Sequence, residues 1–240
     1  MRVGIAGGID NPLLGHSIAH LIANGVAISA VLLDAKRMRE ANWSVWFGRV
    51  GDLLPVVQPD EYAEHRIPHY HVRSLNDTNS IDLIQDLDLD IVLNGGIPRI
   101  VGDRTLCATR SGFLNIHPGL LPRYRGSCCV EWAVFNDDPV GNTVHFMTPE
   151  VDSGPIVLRA ESDVRGLGSY EEIRTKVHID GFQLLAQAAK AVVDGDPRTN
   201  CYAEETGGRF YRPIGEHDLA TVKHKIAVGR YTYQKKTMTQ

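Results

Sequence analysis

The chain has 240 residues, enough to bury a full core as one large α/β domain or as one domain with a small appendix. Hydrophobic residues make up 43% and charged residues 22%, ordinary values for a globular protein, and the net charge of −4 argues against nucleic-acid binding, which shows a basic stripe. The apolar stretches are too short to span a membrane and the N-terminus carries no leader pattern, so we expect a cytoplasmic protein with no membrane partner. Its cysteines, Cys107, Cys128, Cys129 and Cys201, lack ligand spacing and are expected as reduced thiols.

In chain order, Val3 to Ala6 reads as a strand ending in the turn Gly7-Gly8, followed by a helix over Leu13 to Asn24 and a strand over Ala27 to Leu33. The connection from Lys36 to Pro68 is long and aromatic and fits no periodic pattern, as functional connections often do not. His69 to Val72 reads as a strand, Ser80 as the cap of a short helix, and Asp90 to Leu93 as an apolar strand. Strands over Phe113 to Ile116, Thr143 to Met147 and Ile156 to Ala160 follow. Ser169 and Glu172 form a capping-box pair before Ile173, Val177, Leu184, Leu185, Ala188 and Val192 recur at helical spacing, and Asp194-Gly195-Asp196-Pro197 stops the run. This alternation predicts an α/β fold, a Rossmann-like, mostly parallel sheet flanked by helices. The main domain is expected over 1–200, with a small C-terminal appendix over 201–240 that could serve interaction or dimerisation.

The segment from Leu114 to Val157 holds the chemistry. Asn115 and His117 lie two apart at a strand's end, so both project from one face. An amide donor beside an imidazole there suits a site where an oxyanion develops. Asp152, before the turn Ser153-Gly154, can aim a carboxylate at the same edge and favour the imidazolium. Taken alone, each of these residues is more often turn or cap chemistry than catalysis. His16 and His20 are four apart on a helix, the spacing of a metal pair, although packing explains them better; His69 and His71 read as structural or solvated, and His145 as a core residue or a support for the site.

The run Asn115-Ile116-His117-Pro118-Gly119-Leu120-Leu121-Pro122, then Tyr124-Arg125-Gly126, resembles the signature of the folate-dependent formyltransferase family. That family includes glycinamide ribonucleotide, methionyl-tRNA and sugar N-formyltransferases. Gly141 to Met147 and Val151 to Ile156 are similar to its second block, with His145 seven residues before Asp152. The resemblance covers roughly Asp90 to Val193 and implies 10-formyltetrahydrofolate as formyl donor, with no metal. It implies Asn115 as donor to the carbonyl oxygen, His117 as a second stabiliser, and Asp152 as keeper of the histidine's charge and acceptor of the amine proton. A pterin slot is implied at Leu93, Asn94, Gly95, Gly96, Ile97 and Pro98, facing the segment from Phe146 to Val151, with Arg99 available to the folate's glutamate tail.

The length leaves too little after Asp196 for the RNA-binding domain of the methionyl-tRNA branch, and Gly7-Gly8-Ile9-Asp10-Asn11 is a poor match to the phosphate loop of the glycinamide branch. We therefore expect a small-molecule amine acceptor, foremost a nucleotide-linked amino sugar; Trp43, Trp46 or Phe47 could stack on its base or sugar, and filling a satellite core is the equally weighted alternative for them. An amino acid, a hydroxyornithine-like amine and glycinamide ribonucleotide are the rival acceptors. A 10-formyltetrahydrofolate hydrolase and a non-catalytic folate binder are the alternatives of another class.

Overall fold

A computed structural model describes residues 1–57, 65–195 and 207–235. The first half alternates strands β1 (Val3–Gly8), β2 (Ile28–Asp34), β3 (His69–Val72), β4 (Ile91–Asn94) and β5 (Gly112–His117) with helices α1 (Pro12–Ala23), α2 (Glu40–Val50), α3 (Thr78–Asp86) and α4 (Asp103–Leu106). There follow β6 (Tyr124–Gly126), α5 (Cys129–Phe135), β7 (Gly141–Phe146), β8 (Ile156–Glu161), α6 (Tyr170–Val193), β9 (Arg209–Tyr211) and α7 (Glu216–Ala227). Seven strands make one sheet in the order β3-β2-β1-β4-β5-β7-β8. The first five run parallel, while β7 is antiparallel to β5 and β8 to β7. The expected mostly parallel α/β sheet is what forms.

The strand order reverses between β1 and β4, the place where such sheets open a crevice at their carboxyl ends. The Gly95-Gly96 turn is close-packed there: a Cβ on Gly95 would lie 2.6 Å from Leu14 Cδ1, and one on Gly96, at φ 103°, would lie 2.6 Å from the Asn11 side chain. Asn11 caps α1 through Leu13 N and donates to the Gly96 carbonyl at 2.9 Å. That single amide ties the start of α1 to the end of β4.

The main core lies between the sheet and helices α1 and α6, where Ile5, Leu93, Leu114 and Val144 meet Leu14, Ile18, Leu185 and Ala188. A second core, with Ile81 and Ile84 of α3, covers the other face. The capping box of α6 is present, Ser169 Oγ accepting from Glu172 N at 3.1 Å and Glu172 Oε2 from Ser169 N at 2.9 Å. Two expectations need correction. Ser80 is no cap: the α3 cap position is Asp77, whose carboxylate is engaged by Arg73, and Ser80 is buried, donating to the Ser74 carbonyl. The unpatterned connection holds α2, although 58–64 lie outside the described residues.

The described C-terminal segment packs into a third core. Strand β9 pairs with β6, Tyr211 stacks on Tyr124 at 5.1 Å, and Val222 and Ile226 of α7 join Val134, Val140 and Val177. Cys201 and the helix-stopping Asp196-Pro197 lie outside the described residues. No described helix is long and apolar enough to cross a membrane.

Asp34, at the end of β2, is fully buried and anchors the loops around the crevice. Its carboxylate accepts from Arg99 Nε and Nη2 at 2.7 and 2.8 Å, from Lys36 N at 2.9 Å and from Leu75 N at 3.0 Å. Burial opposes its charge, yet Arg99 and the two backbone N–H groups outweigh it and hold the carboxyl below its ordinary value. A depressed carboxyl stabilises the fold above its unfolded titration range, and that contribution disappears as pH falls through the folded value. Arg99→Leu would strand the charge and is expected to cost about 3–5 kcal/mol at pH 7. The deficit should narrow on acidification to about pH 4, because burial raises the stranded carboxyl and protonation removes its charge. Urea unfolding at the two pH values measures both effects.

Candidate functional site

Antiparallel pairing sets Asn115 opposite His145 and His117 opposite Thr143. With the period-two alternation of strands, these four residues share one face, while Ile116, Val144 and Asn142 turn towards α6. Gly119 lets the chain leave closely beside His117, since a Cβ there would sit 2.7 Å from His117 Nε2.

A directed chain of hydrogen bonds fixes the amides. Asn94 Oδ1 accepts from the backbone N–H groups of Gly96 and Ile97 at 2.9 and 2.7 Å, and its Nδ2 donates to Asn115 Oδ1 at 2.8 Å. At the other end the Phe146 carbonyl can only accept, so His145 carries its proton on Nδ1, 2.9 Å away. The bare Nε2 then accepts from Asn115 Nδ2 at 3.1 Å. Backbone groups at both ends thus decide which way each side chain faces. Asn115 retains a second amide N–H beyond this chain.

His117 donates from Nε2 to the Tyr124 carbonyl at 2.7 Å, and its Nδ1 stands 3.4 Å from Asp152 Oδ1. A neutral ring would set a lone pair against the carboxylate. The geometry suits a shared proton or an imidazolium. Asp152 Oδ1 also lies 3.7 Å from His145 Nε2, and Oδ2 accepts from Gly126 N at 2.9 Å. Asp152 sits in the left-handed region at φ 53°, a conformation that costs an ordinary residue about 1–2 kcal/mol. Gly154 allows the return, because a Cβ there would fall 1.9 Å from the Phe146 carbonyl oxygen. The three residues expected at the site are therefore brought together around one buried carboxylate.

A hollow of 190 Å³ opens at this group, between Asn94, Val101, Met147 and Val151, with Asn115 and Asp152 at its base. Of the residues expected at a pterin slot, Asn94, Met147, Thr148, Pro149 and Val151 line it directly. Leu93 is buried in the main core, Phe146 packs against that core and Ile97 against the α3 side. Gly95 is buried, and Pro98 lends its carbonyl to Lys36. Arg99 lines the hollow, but Asp34 holds its guanidinium, so it is not free for a glutamate tail. A larger cleft of 490 Å³ lies on the other side of Asp152, lined by Arg125, Glu150 and Ser153.

Of the two roles open to the aromatics, Trp46 and Trp43 take the satellite core. Trp46 is buried with Val50, Leu54 and Phe182 in a satellite core, and Trp43 packs against it; only Phe47 is exposed, stacked on Trp43 at 5.7 Å. His16 and His20 bind backbone carbonyls of Pro55 and His16 and pack on Phe182, and no metal-holding cluster occurs among the described residues. Unforeseen is a buried assembly around Glu131, which accepts from Tyr170 Oη at 2.6 Å, with Arg49 and Arg174 at 3.4 and 3.6 Å. Burial opposes its charge, but Arg174 and then Arg49 keep the carboxyl below its usual range. The helical spacing Tyr170, Ile173, Arg174, Val177 held the signal, an arginine inside an apolar stripe.

Burial pushes His145 below the ordinary histidine value of 6.5, with His117 acting in the same direction and the Phe146 carbonyl and Asp152 against it. The unfolded chain therefore takes up this proton first, and stability should fall as pH drops through 6.5. Nitrogen-15 NMR is expected to show His145 neutral, protonated on Nδ1, at that pH. An imidazolium signal there would contradict the hydrogen-bond chain.

Residues 48–189 match the Formyl transferase family, more than half of the chain. Methionyl-tRNA formyltransferase of Thermotoga maritima is 26% identical over 161 residues, covering 67% of this chain and 49% of the relative. The chain thus spans about half the length of that curated relative. Among solved structures, glycinamide ribonucleotide transformylase 1 from Symbiobacterium toebii superposes with a TM-score of 0.62 at 21% identity, covering 81% of this chain and 88% of that one. A sugar N-formyltransferase from a Shewanella species gives 0.60 at 19% identity, covering 91% and 78%. At those identities the two structures speak for the fold, and the extended match across β5, β7 and α6 assigns the chain to the formyl transferase family.

Proposed function

We propose that this chain moves a formyl group from 10-formyltetrahydrofolate to a primary amine, with Asn115, His117 and Asp152 acting on the reacting atoms. The observation that carries this reading is that Asn115 and Asp152 line one partly apolar hollow, with His117 Nδ1 buried behind them 3.4 Å from Asp152 Oδ1. A flat pterin suits that hollow, where Val101, Met147 and Val151 offer apolar walls and Asn94 a fixed polar edge.

The bound donor supplies a formyl carbonyl already activated on nitrogen; the amine nitrogen forms the new C–N bond, the bond to the folate nitrogen breaks, and that nitrogen takes up a proton. As charge gathers on the carbonyl oxygen, the second N–H of Asn115 meets it, preoriented by Asn94 and His145. His117 contributes a proton at Nδ1, and Asp152 holds that proton or accepts one from the amine. His145, neutral, keeps the Asn115 amide aimed and adds no charge of its own.

The acceptor follows less directly. A nucleotide-linked amino sugar could draw on the aromatic connection, where the burial of Trp46 leaves Phe47 as the exposed ring. A primary amine is the class we retain.

Asn115→Ala is expected to lower turnover by about 10²- to 10³-fold, the usual result of deleting one such donor, with unfolding unchanged. Asp152→Asn should abolish transfer and leave calorimetric binding of the folate intact; loss of both together would make Asp152 structural. Tetrahydrofolate release, followed with and without added amine, separates transfer from hydrolysis, and amine-independent release as the sole activity would overturn the proposal.

A further inference from the structure

Two hollows share Asn94 and Asn115. The first is the 190 Å³ slot assigned above to the pterin. The second, of 90 Å³, descends from those asparagines between α1 and α6, walled by Leu13, Ile116, Pro118 and Phe182, with Asn142 and His178 as its polar members. Asp152 lines the first and not the second, while the 490 Å³ cleft, also lined by Asp152, is not lined by Asn115. A carbonyl carbon held from the first hollow with its oxygen on Asn115 is therefore approached from the second. The acceptor's substituent belongs there.

The chemistry of the wall is specific. Among the described residues that line it there is no lysine, arginine, aspartate or glutamate. Ser17 also lines it, but its hydroxyl is engaged by the Leu13 carbonyl at 2.8 Å. His178 packs between Trp46 and Phe182, with ring centroids 5.3 and 6.3 Å away. Its Nε2 accepts from Arg174 at 3.3 Å, so the ring is neutral with its proton on Nδ1. Burial, then Arg174 and Arg49, keep it from charging. The two arginines of this neighbourhood are matched to buried Glu131 and do not line the crevice. A phosphate placed here would lose its hydration and find no cation, which is prohibitive. The size is equally restrictive: a cavity of about 150 Å³ takes benzene, so this one takes roughly three to four non-hydrogen atoms.

We infer that the acceptor is a primary amine bearing a short, uncharged, largely apolar substituent that seats between α1 and α6, and not one whose nearest group is a phosphate or nucleoside diphosphate. This rests on the formyl-transfer reading above and narrows its substrate class.

The test uses the full chain with 10-formyltetrahydrofolate and three amines: isobutylamine, phosphoethanolamine, and a uridine-diphosphate-linked amino sugar. Formylation of isobutylamine is expected with kcat/KM at least about tenfold above the other two, the scale on which a pocket discriminates by a group or two. Gly181→Ala places a methyl 2.9 Å from Asn142 Oδ1 and 3.4 Å from Ile116 Cγ1, inside the crevice. It should raise KM for isobutylamine several-fold more than KM for methylamine. Phe182→Leu widens the crevice and should shift preference towards isopentylamine. Faster use of the nucleotide sugar or of phosphoethanolamine overturns the inference while leaving formyl transfer standing. Should no amine be formylated although the folate binds, formyl transfer itself fails. Titration of isobutylamine against the wild type and Gly181→Ala then decides the crevice by itself: weakened binding in the variant supports it, and equal or absent binding overturns it.

Discussion

Antiparallel pairing of β7 with β5 brings Asn115, His117, Thr143 and His145 onto one face at the carboxyl edge of an otherwise parallel sheet. Because side chains alternate, a shift of one residue would turn Asn115 and His117 down towards α6 and lift Ile116 in their place. The register is held from both faces. Thr143 receives the Leu121 N–H and donates to the Gly119 carbonyl, and Asn142 donates to the Val177 carbonyl of α6. The hydrogen-bond chain from Asn94 to Phe146, and the approach of Asp152, exist only in that register.

Beneath the site lies a second polar system with a different task. Glu131 of α5, Arg49 of α2 and Arg174 and Tyr170 of α6 meet inside the protein, where an ion pair gains little net stability once desolvation is counted. Apolar residues would pack these helices as well. A charge that must find its partners admits fewer arrangements than a greasy contact does, so the assembly sets how α2, α5 and α6 lie against each other. That arrangement shapes the wall of the crevice at His178 and Phe182.

The strands and the Asn-x-His and Asp-Ser-Gly blocks were legible because they are local: an apolar run between turn residues, two side chains at period two, a carboxylate before glycine. The capping box at Ser169 and Glu172 was legible for the same reason. What escaped depends on distant partners. Arg99 reads as a cation available to the folate's glutamate tail until Asp34, sixty-five positions away, is seen to claim it. Trp46 could stack on a ligand or fill a satellite core until Phe182 of α6 is seen to cover it. Ser80 misled because serine and aspartate compete for one cap, and Asp77 stands at the first available position. Asn94, read as part of a pterin turn, proved also to be the group that aims Asn115.

The contact between β6 and β9 reaches further than its three residues suggest. Gly126, at φ 92°, leaves room for Tyr211, where a Cβ would lie 2.3 Å from the carbonyl oxygen, and its N–H holds Asp152. One glycine therefore joins the acidic group of the site to a strand that lies outside the stretch matching the family. The recognisable sequence block is not a portable cassette. Grafted into another scaffold with every motif residue intact, it would carry its carboxylate on an unsupported loop, and the reactive geometry would have to be rebuilt by whatever element the host could supply alongside Tyr124.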